Sequence, residues 1–265
     1  MTRIPGDLVL VRGAGDLATG VIVRLVHAGY RVVAVETPAP SAIRRTVALS
    51  EAVYAGEAEV EGVRAVRCAA VPAAWAPGDP VPVLVDPDLA CLDSLRPAAL
   101  VDAILAKRNL GTRLAMAPLV VALGPGFTAG VDAHAVVETN RGHDLGRVLL
   151  TGQAEPNTGI PGLIAGQGAT RVLHAPRDGR VETCCAIGDT VRAGDPLLTV
   201  GGEPVASALD GVVRGLIRPG YPAHRGLKIA DVDPRCVRAH CFTISDKARA
   251  IAGGVLEALL RLGAP

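Results

Sequence analysis

The chain has 265 residues, enough for one large domain or two domains of ordinary size. Its net charge is +1, its aromatic content is 2% and it has no basic block, which argues against nucleic-acid binding. The longest uncharged stretch, residues 114–131, contains two prolines and three glycines and is a poor membrane span. Because the chain opens without a signal-peptide pattern, we expect a cytoplasmic protein.

The first predicted elements form a βαβ unit. Residues 8–11 are a short apolar run, which is typical of a buried parallel strand. Residues 16–28 carry apolar side chains at helical spacing, and RVVAVE at 31–36 reads as a second strand.

The loop of this unit matches a dinucleotide-binding pattern. Gly13 permits a tight turn, Gly15 lets the backbone approach a pyrophosphate, and the small Ala18 lets the helix pack closely. Glu36 lies 23 residues after Gly13, near the interval at which an acid binds a ribose. Asp16 would repel a phosphate unless it caps the helix. The alternative is a strand-to-helix turn whose ligand site has degenerated.

Further strands and a charged loop follow. Arg44 and Arg45 can meet a phosphate, although a solvated loop fits them equally well. Residues 57–68 predict a hairpin that turns at Glu61–Gly62. Two later apolar runs predict buried strands with Asp86 and Asp102 near their ends, so strands and helices alternate as in a mostly parallel, Rossmann-like sheet.

A second glycine loop follows a predicted strand that ends at Leu123. Strands of an open α/β sheet bind ligands beyond their carboxyl ends, so this loop and its polar neighbours predict a binding site. For each residue alone, an ordinary turn or core role is the alternative. The candidate ligand residues are Gly124, Gly126, Phe127, Thr128, Gly130, His134, Glu138, Asn140, Arg141 and His143.

The carboxyl-terminal third contains an internal repeat beyond the glycine-rich loop 152–168. Two Asp-Gly pairs are each followed by glycines at intervals of nine and six, and the copies are offset by 32 residues. The pattern resembles the biotinyl/lipoyl barrel-sandwich hybrid, whose turns require glycine. The hairpin between the copies, residues 201–204, has no lysine, so a docking or structural role is expected rather than a carrier. The repeat glycines are Gly179, Gly188, Gly194, Gly211, Gly220 and Gly226.

These elements predict an α/β protein with three parts. Residues 1–168 form the Rossmann-like domain with both glycine loops, and 169–235 form the barrel-sandwich hybrid. Residues 236–265 end in a helix capped by Ser245, which packs back on the first domain. The six cysteines lack metal-site spacing, so no metal is predicted and the thiols are expected to be reduced, with redox or selenium chemistry as the alternative.

Seven stretches, in order along nearly the whole chain, resemble the YqeB family of accessory proteins for selenium-dependent molybdenum hydroxylases. The resemblance implies a maturation factor for hydroxylases that use a molybdopterin cofactor and labile selenium. It supplies no catalytic residue. The stretches are VRGAGDLATGV, RRTVALSEAVY, AKRNLGT, LGPGFTAGVDAHAVVETNRGHDLGRV, NTGIPG, GLKIADVDPR and CFTISDKARAIAGGVLEALL.

Three functions follow from these patterns. The first is a maturation factor that binds a nucleotide or phosphorylated ligand, such as a molybdopterin-type cofactor, at the two glycine loops. Its partners would be a molybdenum hydroxylase or other maturation factors, with neither nucleic acid nor membrane, and self-association is left open. The second is an NAD(P)-dependent oxidoreductase of a small molecule. The third is a non-enzymatic chaperone or docking protein whose glycine loops only shape the fold.

Overall fold

The computed structural model describes residues 8–159, 162 and 164–263, which divide into two compact units. The sheet unit comprises the described residues up to Pro40, Ala48–Asn157 and those from Ile244 onward. The second unit comprises Ser41–Val47 and Thr158–Thr243. Ile160, Pro161 and Leu163 of the predicted loop lie outside the described residues, as do residues 1–7 and 264–265. The three predicted domain boundaries stay a prediction.

A nine-stranded mixed sheet forms the core of the sheet unit. The strands of this unit are β1 (Leu8–Arg12), β2 (Arg31–Glu36), β3 (Glu57–Val60), β4 (Val63–Cys68), β5 (Val81–Val85), β6 (Ala99–Asp102), β7 (Leu119–Leu123), β8 (Thr128–Ala129), β9 (Ala135–Val137), β10 (Val148–Leu149) and β11 (Gly152–Gln153). The sheet order is β10-β9-β7-β6-β1-β2-β5-β4-β3, with β8 and β11 paired separately. The strands from β9 to β4 are parallel, and β10 and β3 add antiparallel edges. Central strands such as β1 are apolar runs because both faces are buried.

Two long helices pack against each other in the sheet unit. The helices of the described chain are α1 (Asp16–His27), α2 (Ala52–Ala55), α3 (Leu92–Leu95) and α4 (Asp246–Leu262). Ser245 caps α4, its hydroxyl accepting from the Ala248 N–H at 3.2 Å. A Cβ added to Gly20 of α1 would lie 2.8 Å from the Ala248 Cβ, so only glycine allows this close approach. Helix α4 therefore helps to fix the position of α1, which follows β1 directly.

The second unit is built from short antiparallel strands. They are β12 (Val172–His174), β13 (Gly179–Thr183), β14 (Thr190–Val191), β15 (Pro196–Val200), β16 (Glu203–Ala206), β17 (Gly211–Leu216), β18 (Pro222–Ala223) and β19 (Lys228–Asp233). They form two four-stranded sheets, β12-β19-β17-β14 and β16-β15-β13-β18, whose apolar side chains share one core. The distant segment 41–47 completes this unit, because the Leu216 N–H donates to the Ile43 carbonyl at 2.7 Å.

The predicted fold class is wrong. The sheet is large and mixed, and it lacks the alternating helices of a Rossmann-like domain. The connection from β5 to β6 holds only the four-residue helix α3, and that from β6 to β7 holds only the single turn Leu114–Met116. Residues 86–98 and 103–118 are long enough for a βαβ crossover, but neither connection contains the full helix that such a crossover usually has. The single βαβ unit at the start of the chain does not extend to the rest of the sheet.

The described residues also give no evidence of a biotinyl/lipoyl barrel-sandwich hybrid. They form two separate antiparallel four-stranded sheets instead. The glycine intervals located turns, since Gly188, Gly194, Gly220 and Gly226 all have positive φ. Recurring turns are common to any chain of short antiparallel strands, so they do not specify how the strands pair.

Candidate functional site at the carboxyl edge of the mixed sheet

The carboxyl ends of the parallel strands bring several predicted residues to one edge of the sheet. Gly13 follows β1, Glu36 ends β2, Asp102 ends β6 and Gly124 follows β7. Only β6 separates β1 from β7, so the two glycine loops begin about 10 Å apart. This edge is the candidate functional site.

The first loop is held tightly by its neighbours. Gly13 has φ +102°, and its N–H donates to the Val35 carbonyl at 2.8 Å. A Cβ at this position would lie 3.2 Å from the Ala103 carbonyl group. Both the backbone conformation and the contact with the next strand therefore require glycine.

The carboxylate of Glu36 is bonded to the first loop. One oxygen accepts from the Ala14 N–H at 2.9 Å, and the other accepts from the Thr37 N–H at 2.8 Å. The amide of Ala14 is thus already bonded by an acid of the chain. Each carboxylate oxygen keeps a second acceptor site, so Glu36 can still accept a ligand hydroxyl.

The amino end of α1 is open. Gly15 is the N-cap residue, with extended backbone at φ −65°, and no side chain caps the first turn. A Cβ on Gly15 would have no atom within 4 Å. Asp16 begins the helix and is partly buried, whereas Ala18 is fully buried against the sheet unit. The first-turn N–H groups and the helix dipole of α1 are therefore available to an anion.

A buried network beside this loop was missed by the sequence reasoning. Arg12 donates to the Thr112 hydroxyl at 2.9 Å and lies 3.4 Å from the Asp102 carboxylate. The Thr112 hydroxyl donates to the same carboxylate oxygen at 2.6 Å. Asp102 is 2% exposed, so the guanidinium of Arg12 compensates a charge that water cannot reach. Charged residues directly after buried strands were the sequence signal that could have revealed this network.

The segment 105–112 contacts both the end of β1 and the second glycine loop. Leu105 and Lys107 have φ of 57° and 63°, a left-handed conformation that is rare outside glycine. A Cβ on Gly126 would lie 2.5 Å from the Arg108 Cα, so the second loop rests directly on this backbone. Asn109 donates to Asp132 at 3.2 Å, which adds a side-chain link between the segments.

Most other groups of the second loop contact the chain itself. A Cβ on Gly124 would clash with the Thr139 hydroxyl oxygen, and Phe127 is 3% exposed in the core. The Thr128 N–H donates to Asp132 at 2.7 Å, and the Gly130 N–H donates to the Ala133 carbonyl at 2.8 Å. Gly124 and Gly126 therefore fit the close approach of a neighbouring side chain and of neighbouring backbone.

The polar residues after β9 hold a turn in place. The buried carboxylate of Glu138 accepts from the N–H groups of Thr139, Asn140 and Glu155 at 2.6–2.7 Å. The Asn140 side chain also bonds Glu155. Arg141 makes two hydrogen bonds, of 2.7 and 3.1 Å, to Asp246 at the start of α4. These contacts are within the sheet unit and fix the turn against α4.

Two of the predicted histidines lie apart from the glycine loops. His134 precedes β9 beside Val120, about 13 Å before Gly124 along the neighbouring strand. Its Nδ1 accepts from the Val120 N–H at 2.9 Å, which leaves Nε2 as the protonated nitrogen of the neutral ring. His143 is exposed in the turn after β9.

Arg44 and Arg45 belong to the second unit. Arg44 is 6% exposed and donates to the His240 and Thr243 carbonyls at 3.0 and 3.1 Å. Arg45 donates to the Leu216 carbonyl at 2.8 Å. Both of these predicted phosphate ligands therefore donate hydrogen bonds to main-chain carbonyls of the second unit.

Asp86 follows β5 at the same edge of the sheet as Glu36. Burial raises the pKa of Asp86, but hydrogen bonds from Cys91, Ala90 and Leu89 outweigh it, so the pKa lies below its usual 3.8. Burial and the nearby Asp86 charge raise the pKa of the Cys91 thiol to about 12. Cys91 is therefore protonated at neutral pH and is a poor nucleophile.

A cavity of about 940 Å³ opens at the opposite, amino edge of the sheet. It contains none of the predicted ligand residues, so it does not coincide with the glycine loops. Among its lining residues are Arg31, Asp88, Asp93, Arg96 and Arg113.

The described residues limit two further functions. In the part of the chain that the structure describes, no group of three His, Cys, Asp or Glu side chains could hold a metal ion. Nor is any helix among those residues both long enough and apolar enough to cross a membrane. All six cysteines are free thiols.

Comparison with known proteins gives one strong similarity. Over 258 residues, or 97% of the chain, 50% of positions are identical to the uncharacterized protein YqeB of Escherichia coli strain K12. The similarity to YqeB covers nearly all of this chain. This supports the predicted resemblance to the YqeB family but does not test the maturation role. The chain spans about half of the length of YqeB, 48%.

Two further comparisons add little. No protein-family model matches the chain. The crystal structure of the succinylglutamate desuccinylase/aspartoacylase from Rhodobacter sphaeroides covers 86% of this chain and 85% of its own, at 19% identity and a TM-score of 0.28. A TM-score of this size does not establish a common fold.

Proposed function

We propose that the protein is an accessory factor in the maturation of selenium-dependent molybdenum hydroxylases. In this proposal it binds a nucleotide or phosphorylated ligand, such as a molybdopterin-type cofactor, at the carboxyl edge of the mixed sheet. The pathway comes from the YqeB resemblance, which the 50% identity to YqeB supports at the level of the family. The ligand class comes from the geometry of the first glycine loop.

The open amino end of α1 is the observation that carries this proposal. Its first turn has no side-chain cap, and a Cβ added to Gly15 would not contact any neighbouring segment within 4 Å. Uncapped N–H groups at a helix amino terminus bind phosphate through hydrogen bonds and through the helix dipole. In this proposal Glu36, at the end of the adjacent β2, accepts a ribose hydroxyl. Asp16 weakens the site electrostatically, so an Asp16→Asn variant should bind anions more tightly.

Titration calorimetry with ADP tests the ligand site. Gly15→Asp places a carboxylate at the N-cap, where it bonds the N–H groups that a phosphate would use. We expect this variant to stay as stable as the wild type, or a few tenths of a kcal/mol more stable, and to lose ADP binding. Gly142→Asp is the matched control, since that glycine has no positive φ, no atom within 4 Å of an added Cβ and the same change in charge. Equal ADP affinity in wild type and Gly15→Asp would overturn the site assignment.

Mass spectrometry of small molecules released from the protein, purified from its own cells, tests the ligand class. A phosphorylated pterin or nucleotide released from the wild type and absent from Gly15→Asp would support the proposal. Release of an unphosphorylated compound from both proteins would contradict it.

A docking protein without a bound ligand is the second candidate. It is favoured by the second loop, where Gly124 and Gly126 are required by Thr139 and by the Arg108 backbone rather than by open space. Capture of a molybdenum hydroxylase subunit at equal strength by wild type and Gly15→Asp would favour this candidate. An NAD(P)-dependent oxidoreductase is tested in the same calorimeter, since it requires heat on addition of NAD⁺.

A further inference from the structure

The cavity of about 940 Å³ beside the mixed sheet lies outside the proposed ligand site. Its two walls come from connections of the sheet, residues 88–98 before β6 and 113–118 before β7. Leu8 and Arg31, at the starts of β1 and β2, complete it. We call this cavity the crossover cleft. Its described lining residues all belong to the sheet unit, and none of them belongs to either glycine loop.

The floor of the crossover cleft is apolar. A crossover between parallel strands usually lays a helix on the sheet, but here one wall has only the four-residue α3 and the other only a single turn. Five partly buried side chains that pack against the core of the sheet also line the cleft. They are Leu8, Leu92, Leu95, Met116 and Ala117. The cleft therefore exposes apolar surface that a full crossover helix would have covered.

Four charged side chains of the lining have no partner in the part of the chain that the structure describes. Arg96 and Arg113 make no side-chain hydrogen bond or ion pair with those residues, and neither do Asp88 and Asp93. A third arginine of the lining, Arg31, lies over an aromatic ring at 5.7 Å and is already engaged. The free charges of the lining are thus two positive and two negative.

Arg96 is held in an unfavourable backbone conformation. It has φ 43° and ψ 59°, a left-handed conformation, at the carboxyl end of α3, where glycine is the usual residue. It also precedes Pro97, and a residue before proline is pushed toward extended backbone. Residues strained in this way cluster at ligand sites. Asp88 and Asp93 have no positive φ, so the strain singles out the arginine among the free charges.

We propose that the crossover cleft binds an organic monocarboxylate with an apolar body. The Arg96 guanidinium matches a carboxylate in a planar, paired hydrogen bond, and Arg113 on the other wall adds positive charge. Guanidinium is also weakly hydrated, so it loses less on contact with a ligand than an aspartate does. The apolar body covers the exposed floor, in a cavity whose volume suits a small organic molecule.

The two free aspartates limit the charge of this ligand. Asp88 and Asp93 balance the charges of Arg96 and Arg113, so a second negative charge on the ligand would be repelled. A monoanion is therefore favoured over a dianion such as a phosphomonoester. The crossover cleft is independent of the proposed ligand site at Gly15.

Titration calorimetry of the full chain at pH 7 with decanoate, acetate and decylamine tests the ligand class. We expect decanoate to bind with one molecule per chain. Acetate should give no measurable heat because it lacks the apolar body, and decylamine should give none because its charge is positive. Absence of decanoate binding, or binding of decylamine as tight as that of decanoate, would overturn the proposal.

Variants of the two free arginines test the site. Arg96→Gly should weaken decanoate binding by about tenfold or more, since it removes hydrogen bonds to a charged group. Its Tm should equal or exceed that of the wild type, because glycine adopts the left-handed conformation without strain. Arg113→Gln, at an extended position with φ −140°, is a second variant that should also weaken binding. Arg64→Met, which loses an exposed arginine elsewhere, is the control and should bind decanoate as the wild type does.

The same titrations separate the crossover cleft from the site at α1. Gly15→Asp should bind decanoate with the affinity of the wild type. Loss of decanoate binding in Gly15→Asp alone would place the carboxylate at α1 and overturn the assignment to the cleft. Wild-type affinity in both Arg96→Gly and Arg113→Gln would overturn it as well.

Discussion

A buried arginine side chain has different partners in the two units. In the sheet unit, Arg12 has the buried Asp102, the Thr112 hydroxyl and two carbonyls as partners. In the second unit, Arg214 is equally buried but has only a 3.7 Å contact with an aspartate that Arg235 already binds. Both terminal nitrogens of Arg12 have partners, whereas Arg214 has one longer ion pair, and the Nε of each arginine is buried without a partner among the described residues.

Arg12→Met should lower the free energy of unfolding more than any of the following substitutions. It leaves the carboxylate of Asp102, 2% exposed, without its cation, so we expect the free energy of unfolding to fall by about 3–5 kcal/mol. Urea unfolding measures the loss. Arg64→Met, in an exposed pair, should change stability by less than about 1 kcal/mol. If Arg12→Met lost no more stability than Arg64→Met, Arg12 would not be compensating the buried charge of Asp102.

Gly126→Ala tests whether the second loop is shaped by the chain itself. The new Cβ would lie 2.5–2.8 Å from the Arg108 backbone at φ +103°, so we expect a loss of about 2–4 kcal/mol. Gly142→Ala has no such contact and should be neutral. If Gly126→Ala were as stable as Gly142→Ala, the Arg108 backbone would not constrain the second glycine loop.

Arg214→Met should cost much less stability than Arg12→Met. Asp233 keeps its ion pair with Arg235 when Arg214 is replaced, so no buried carboxylate is left without a cation, and we expect a change of less than about 2 kcal/mol. Urea unfolding in a chloride buffer measures this difference. A loss comparable to that of Arg12→Met would remove the contrast between the two arginines.

Asp86→Asn should change the stability of the fold least, and the size of this change should depend on pH. Because the folded-state pKa of Asp86 lies below 3.8, its charge stabilises the fold above about pH 4, and this contribution disappears as the pH falls through the folded pKa. Wild type should therefore exceed Asp86→Asn in stability at pH 7, and the gap should narrow toward pH 2. Urea midpoints measured across this range give the test, and a gap that widens in acid would contradict the assigned shift.

Local features were readable from the sequence. The apolar run, glycine loop and helix pattern gave β1, α1 and β2, and the hairpin turns at Glu61–Gly62, both with positive φ. The Ser245 cap of α4 was also predicted and is confirmed. Each of these depends on residues within a few positions of one another, which is where propensity and turn chemistry act.

Long-range features were not readable. A glycine needed because Arg108 approaches from a distant segment looks, in sequence, like a glycine needed for a phosphate. Arg44 and Arg45 follow a predicted strand of the sheet unit, yet their partners His240 and Leu216 are about 170–200 positions further along. The ion pair of Arg214 with Asp233 similarly depends on the pairing of β17 with β19. Those pairings, rather than local pattern, decide which polar groups stay unused.

The contribution of segment 41–47 to the second unit has a consequence for how the protein is made. On the ribosome, Ile43 emerges more than 170 residues before Leu216, the residue whose main chain it bonds. Ile43 therefore cannot form this hydrogen bond until synthesis has passed β17, and until then the early segment has no partner at this position. A fragment starting at Thr158 would lack the Ile43 carbonyl that accepts from Leu216 at the end of β17, so it should be less stable than the intact unit, and adding a peptide of residues 41–47 should restore part of the loss.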